Sequence, residues 1–124
     1  GTWLGTTLSG RFAAVTNLPV YEPAFNSETL SRGKLVTSFL TSSLSPEEFV
    51  SEVSIDKNKY RGFDLICGDR QSLFYVTNAR PGIKELSPGI YSLSNEVLDN
   101  TCHRSENTKI KFSQILNTLS LRRL

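Results

Sequence analysis

The sequence predicts an α+β fold in which an antiparallel sheet is flanked by helices. Three observations predict it. Strands and helices come in runs (strand, strand, helix, helix, strand, strand, strand, helix) rather than in strict alternation. Short turn signals, Leu8-Ser9-Gly10 and Asp69-Arg70-Gln71, join neighbouring strands as hairpins. Apolar residues recur at helical spacing over 32–42 and 107–119. The 124 residues, 38% hydrophobic and 21% charged, fit one globular domain over 1–124.

The first hairpin pairs Thr2–Thr7 with Arg11–Asn17. Phe12 and Ala14 occupy one face of its second strand, Ala13 and Val15 the other, so this strand is expected to be covered on both sides. Leu18–Ser31 reads as a loop, with Pro19, Pro23, Asn26 and Ser27 all favouring turns. A helix follows over Arg32–Ser42, burying Leu35, Val36, Phe39 and Leu40. Ser45-Pro46-Glu47-Glu48 starts another: Ser45 caps, Pro46 suits the first helical position, and Glu48 completes a capping box. Phe49, Val50 and Val53 supply its buried face. Asp56–Arg61 reads as a polar loop. Gly62–Gly68 and Ser72–Asn78 form the second hairpin, Ala79–Ser87 a loop, and Ile90–Ser94 a strand after the Pro88-Gly89 turn. Asn107–Leu119 is helical, with Phe112, Ile115, Leu116 and Leu119 on one stripe.

A net charge of +2 gives no electrostatic basis for nucleic acid or an anionic membrane, and the Arg122-Arg123 pair reads as a solvated terminus. No apolar stretch is long enough to span a bilayer. Cys67 and Cys102 set no disulfide framework and fit no zinc spacing, which points to a reducing compartment. The sequence has no methionine and opens on the strand-like Gly1-Thr2-Trp3, so residues are expected to precede position 1.

No phosphate-binding glycine loop, serine elbow or paired-histidine metal motif is present. His103 is the sole histidine. With Cys102 it forms the most chemically suggestive dipeptide, because thiolate and imidazole both ligate haem iron; the alternative is an exposed loop. Cys67, inside Phe63-Asp64-Leu65-Ile66-Cys67, is expected to be a buried core thiol. Asn17 and Asn95 each follow a strand, in Val15-Thr16-Asn17 and Leu93-Ser94-Asn95. Their amides either donate to an oxyanion or simply cap a strand end or start a helix, and the residues alone favour the latter, structural role. Trp3 either stacks on a planar ligand or packs in the core, and the core is the better expectation.

Four segments together carry a resemblance. They are Gly1-Thr2-Trp3-Leu4-Gly5 with Gly10-Arg11-Phe12-Ala13-Ala14-Val15-Thr16-Asn17; Ser31-Arg32-Gly33-Lys34-Leu35-Val36 with Phe39-Leu40; Tyr60-Arg61-Gly62-Phe63-Asp64-Leu65-Ile66; and Leu86-Ser87-Pro88-Gly89-Ile90-Tyr91-Ser92-Leu93-Ser94-Asn95. In order and spacing, from residue 1 to about 99, the chain resembles the transport and Golgi organisation protein 2 (NRDE-motif) family. The match fails at Asn100-Thr101-Cys102-His103-Arg104, where relatives show Trp-Pro-Lys.

The resemblance implies an Ntn-hydrolase-like αββα sandwich of which this chain is an internal piece. Family members begin Met-Cys and carry an Asn-Arg-Asp-Glu motif, and this sequence contains neither. The resemblance also implies a cytoplasmic protein, with Golgi or mitochondrial association, linked to haem trafficking. Haem is then a transported ligand, not a required cofactor. Trp3, Asn17, Asn95 and His103 are the candidate ligand-binding residues, with His103 a candidate iron ligand and Asn95 and Asn17 the oxyanion-type candidates.

Three functions follow as expectations. The first is a non-catalytic haem-handling protein. The second is part of an Ntn-type amidohydrolase acting on C–N bonds, whose cysteine nucleophile precedes position 1. The third is a structural or interaction fragment whose missing strand is supplied by a partner segment at the sheet edge.

Overall fold

In the computed structural model, residues 2–19, 29–93 and 109–117 are described. The first hairpin forms because Thr7 and Gly10 close a tight turn. Gly10 N donates to Thr7 O at 3.1 Å, and Thr7 N donates to Arg11 O at 2.9 Å. Gly10 has φ +93°, a left-handed conformation that side chains disfavour. The turn pairs β1 (Leu4–Thr6) antiparallel with β2 (Phe12–Asn17), setting Leu4 against Ala14 and Thr6 against Phe12.

Two helices interrupt the strands. α1 (Gly33–Thr41) buries Leu35, Val36 and Phe39. α2 (Pro46–Asp56) begins where Ser45 Oγ accepts the Glu48 N–H at 3.2 Å, with Pro46 in the first turn. The helices meet through Phe39 and Phe49, whose rings lie edge to face at 5.2 Å. A 3₁₀ turn over Lys57–Lys59 leads to β3 (Phe63–Gly68). β3 pairs with β4 (Leu73–Thr77), which pairs with β5 (Ile83–Glu85). Asp69 builds the β3–β4 turn: its Oδ1 accepts N–H bonds from Gln71 at 2.8 Å and Ser72 at 3.0 Å, which hold the carboxyl below its ordinary range.

The sheet is five-stranded and fully antiparallel, in the order β1-β2-β3-β4-β5. The helical pair bridges β2 and β3, so the fold is α+β as expected. Both helices pack on one face. Ala13 and Val15 of β2, Phe63, Leu65 and Cys67 of β3, and Phe74 and Val76 of β4 meet α1 and α2 there in one buried cluster. Each large side chain so buried contributes roughly 1.5–3 kcal/mol.

The second face carries a smaller cluster. Ile66, Tyr75 and Leu86 are buried, and Phe12, Leu73, Tyr91 and Leu93 pack half-buried around them. Covering both sides of β2 was therefore only half right. Its helix face is closed, whereas Phe12 and Ala14 remain partly accessible.

Several boundaries also differ from expectation. β1 is shorter than Thr2–Thr7. Asp56 ends α2 instead of opening a loop. Leu30, read as loop, makes a parallel bridge to Tyr60, with Leu30 N donating to Lys59 O at 2.8 Å. The third strand of the second run is Ile83–Glu85, which had read as loop, and residues 90–93 form no strand. The reason is pairing. β5 is an edge whose side chains are all exposed, and it exists through its ladder to β4. Past it, Tyr91 and Leu93 bury apolar surface by strapping the second face, without ladder bonds. A helical segment spans 109–117, within the expected Asn107–Leu119; its Phe112 and Ile115 are exposed. Among the described residues no helix is long and apolar enough to cross a membrane.

Candidate functional site

Trp3 is not a core residue. It lies just before β1, and Val15 N donates to its carbonyl at 2.9 Å. The strand register sets its side chain on the helix face, opposite Val15, but at the end of the sheet. There the helices no longer cover it, and it is 46% exposed. Gly5, the next residue on that face, lets α1 approach closely: a Cβ there would lie 2.5 Å from Leu40 Cδ1.

Arg32, the residue preceding α1, holds its guanidinium carbon 5.9 Å from the Trp3 ring centroid, at the outer range of a cation–π contact. It is tethered by Nη1, which donates to Gly62 O at 3.0 Å. Arg61, from the segment entering β3, reaches the same place. Together Trp3, Thr29, Ser31, Arg32, Gly33 and Arg61 line an open cavity of about 340 Å³. The first turn of α1 holds no acidic side chain, which favours negative charge there. Among the described residues the lining thus combines an indole with two arginines, a serine and a threonine.

Asn17 ends β2 on the same sheet face, one pleat beyond Val15, the residue opposite Trp3. Its Oδ1 is buried without a hydrogen-bond partner among the described residues, so its side-chain oxygen does not cap the strand end. Asn95 and His103 lie outside the described residues. Of the four expected site residues, the structure therefore sets two, Trp3 and Asn17, at one end of one face. Sequence reasoning missed Arg32 and Arg61. Each adjoins a glycine in a segment already singled out, but only the folded arrangement brings them together.

Cys67 is the buried core thiol expected from its strand, and burial pushes it up to about 12 despite the nearby Arg11 charge. Arg11 itself lies over the Phe39 ring at 3.9 Å and donates to Phe39 O at 2.8 Å, joining the first hairpin to the C-terminal end of α1. A larger cavity, about 530 Å³, opens beyond the far end of β3. Its charged lining is mixed (Asp69, Arg70 and Glu85), and the Asp69 carboxylate already serves the turn. Among the described residues no cluster of His, Cys, Asp or Glu could hold a metal ion.

Comparison with known proteins identifies the lineage. The family model for Transport and Golgi organisation 2 matches residues 1–123. The human Transport and Golgi organization protein 2 homolog is 35% identical over 105 residues, covering 80% of this chain and 37% of that protein. The Bos taurus homolog is likewise 35% identical and the Mus musculus homolog 33%, over the same shares. The chain spans little more than a third of the length of these curated relatives. With a family match over nearly its whole length, and with Trp3, Arg32 and Arg61 lying in segments that carry the resemblance, the chain belongs to the Transport and Golgi organisation 2 family.

Proposed function

We propose that this chain forms part of a non-catalytic haem-handling protein that serves Golgi and mitochondrial homeostasis, with the ligand seated at the Trp3 cavity. The observation that carries this reading is the half-exposed indole of Trp3 flanked by Arg32 and Arg61. Haem is planar and largely apolar, with two carboxylates on one edge. An exposed indole matches the plane by stacking, and guanidinium groups match the carboxylates. The open cavity suits a carrier that must release its ligand, because only one edge of the ring would be enclosed. His103 remains the candidate iron ligand from the sequence.

A haemin titration of the chain, followed at the Soret band, tests the reading. The expected result is a saturable shift that is lost or strongly weakened in Trp3→Ala. A parallel His103→Ala titration reports whether iron ligation adds to it. Absence of any saturable shift, or curves for Trp3→Ala that overlie the unsubstituted chain, would overturn the site.

A further inference from the structure

We infer that two copies of this chain pair through β1, edge to edge and antiparallel, so that their two five-stranded sheets continue into one across a two-fold axis at Gly5. The backbone of the edge is built for it. Thr7 N donates to Arg11 O and Val15 N to Trp3 O, both at 2.9 Å, so Trp3 and Thr7 turn these peptide groups toward β2. Peptide groups alternate along an antiparallel ladder, which turns Gly5 inward as well and the N–H and C=O of Leu4 and Thr6 outward. Among the described residues no hydrogen bond meets Leu4 or Thr6 on that outer side. Each therefore offers one donor and one acceptor to a neighbouring strand.

The two edges of the sheet are not alike. β5 carries Lys84 and Glu85, and it is entered through Pro81 and a left-handed Gly82 with φ +81°. Charge and irregular backbone of this kind keep an edge from pairing. β1 has no such protection, since 2–9 contains no charged residue and no proline. Leu4 is 63% exposed on the second face, and Leu40 of α1 stands half-buried over Gly5 on the helix face. Pairing β1 with β1 consumes both open edges and leaves only the protected β5 edges outside, so the assembly closes as a dimer.

Gly5 selects the occupant. α1 lies so near the sheet there that a Cβ would meet Leu40 Cδ1 at 2.5 Å. Cβ atoms of directly opposed residues stand about 5 Å apart, so a side chain opposite Gly5 would crowd the same Leu40. About an axis at Gly5, the residue opposite is Gly5 of the other copy. Leu4 of each copy then lies opposite Thr6 of the other, and the two exchange both of their N–H to C=O bonds. β1 thus supplies the strand that β1 accepts.

The test combines sedimentation velocity of the chain, from micromolar to near-millimolar concentration, with amide hydrogen exchange at both ends of that range. The expected result is a shift from monomer to dimer, with the Leu4 and Thr6 amides gaining protection as the dimer fills. The Ile83 and Glu85 amides on the outer side of β5 should not change. Thr6→Pro removes an outward N–H without touching the bonds to β2, and should weaken dimerisation by about tenfold or more. Leu4→Lys places a charge at an exposed position of the edge and should weaken it similarly. Far-UV circular dichroism checks that each variant is folded, and Leu4→Lys decides alone if Thr6→Pro does not fold. A chain that stays monomeric throughout overturns the inference. So does a dimer whose Leu4 and Thr6 amides still exchange freely, or one that the folded variants leave intact, because association then runs through another surface.

Discussion

Asn78 and Phe63 are bound side chain to backbone: Asn78 Oδ1 accepts the Phe63 N–H at 3.0 Å. The same amide turns its Nδ2 toward the carbonyls of Arg61 at 2.9 Å and Tyr60 at 3.1 Å. A residue just after β4 thereby secures the segment entering β3, and with it the arginine at the rim of the Trp3 cavity. Asn78 and Phe63 are both buried, so the Phe63 N–H has no water at hand as a substitute. Asn78→Ala leaves a buried N–H and two carbonyls without this partner. The expected cost is about 3 kcal/mol, measured by urea unfolding. The variant should also lose ligand-dependent Trp3 quenching before it loses secondary structure. A change under about 0.5 kcal/mol, the range of ordinary surface substitutions, would remove Asn78 from this role.

Gly68 and Gly5 make opposite predictions. At Gly68 an added Cβ would lie 2.5 Å from Ser72 O and 3.1 Å from Leu73 Cα, both backbone atoms of the β3–β4 hairpin. Backbone cannot yield without breaking the turn, so Gly68→Ala should cost about 1–3 kcal/mol. At Gly5 the close atom is Leu40 Cδ1, the end of a half-buried flexible side chain that can rotate away. Gly5→Ala should cost under about 1 kcal/mol. Thermal unfolding of the two variants side by side checks the order, and a reversed order would refute the account.

The parts of the fold legible in the sequence are those set by local chemistry. Ser45-Pro46-Glu47-Glu48 starts α2 as read, because a cap and an N-terminal proline act within one turn. Phe63-Asp64-Leu65-Ile66-Cys67 reads as a buried strand because every residue but Asp64 is apolar. β5 was not legible: Ile83-Lys84-Glu85 buries nothing and is specified by β4 across a ladder. Residues 90–93 failed the opposite way, since an apolar run bound for a sheet surface looks the same whether it pairs or straps. Trp3 failed because an aromatic residue signals burial, and only the sheet's end explains its exposure. The site needed three separated segments to meet, around Trp3, Arg32 and Arg61, and no spacing rule encodes that meeting.

Cys67 should be chemically silent in the folded chain. Its thiol is fully buried and its pKa is pushed up to about 12, chiefly by burial, so almost none is thiolate at mildly alkaline pH. Alkylation with iodoacetamide followed by peptide mapping separates it from Cys102. Cys67 should be modified only in step with global unfolding, with a rate that rises as urea is added. Prompt labelling in the absence of denaturant would contradict its position in the core.

Asp64 should make the fold less stable as pH rises from acid toward neutrality. Its side chain is fully buried on the second sheet face; Oδ1 accepts Tyr75 O–H at 2.8 Å, and Oδ2 has no hydrogen-bond partner among the described residues. Burial raises its pKa above the ordinary 3.8, although the Tyr75 hydrogen bond, the nearby Thr77 hydroxyl and the Arg80 charge pull the other way. Below 3.8 the carboxyl is protonated in both folded and unfolded chains, and its full contribution is present. As pH rises past 3.8 the unfolded chain ionises first, and stability is lost until pH passes the raised folded value. Asn mimics the protonated acid, retains an oxygen for Tyr75, and does not titrate. Asp64→Asn should therefore gain on the unsubstituted chain as pH climbs through that window, and the gap should become constant above it. Urea unfolding of both chains across the series measures the gap directly. A gap independent of pH would mean that Asp64 titrates normally and that its Oδ2 finds a partner in solution.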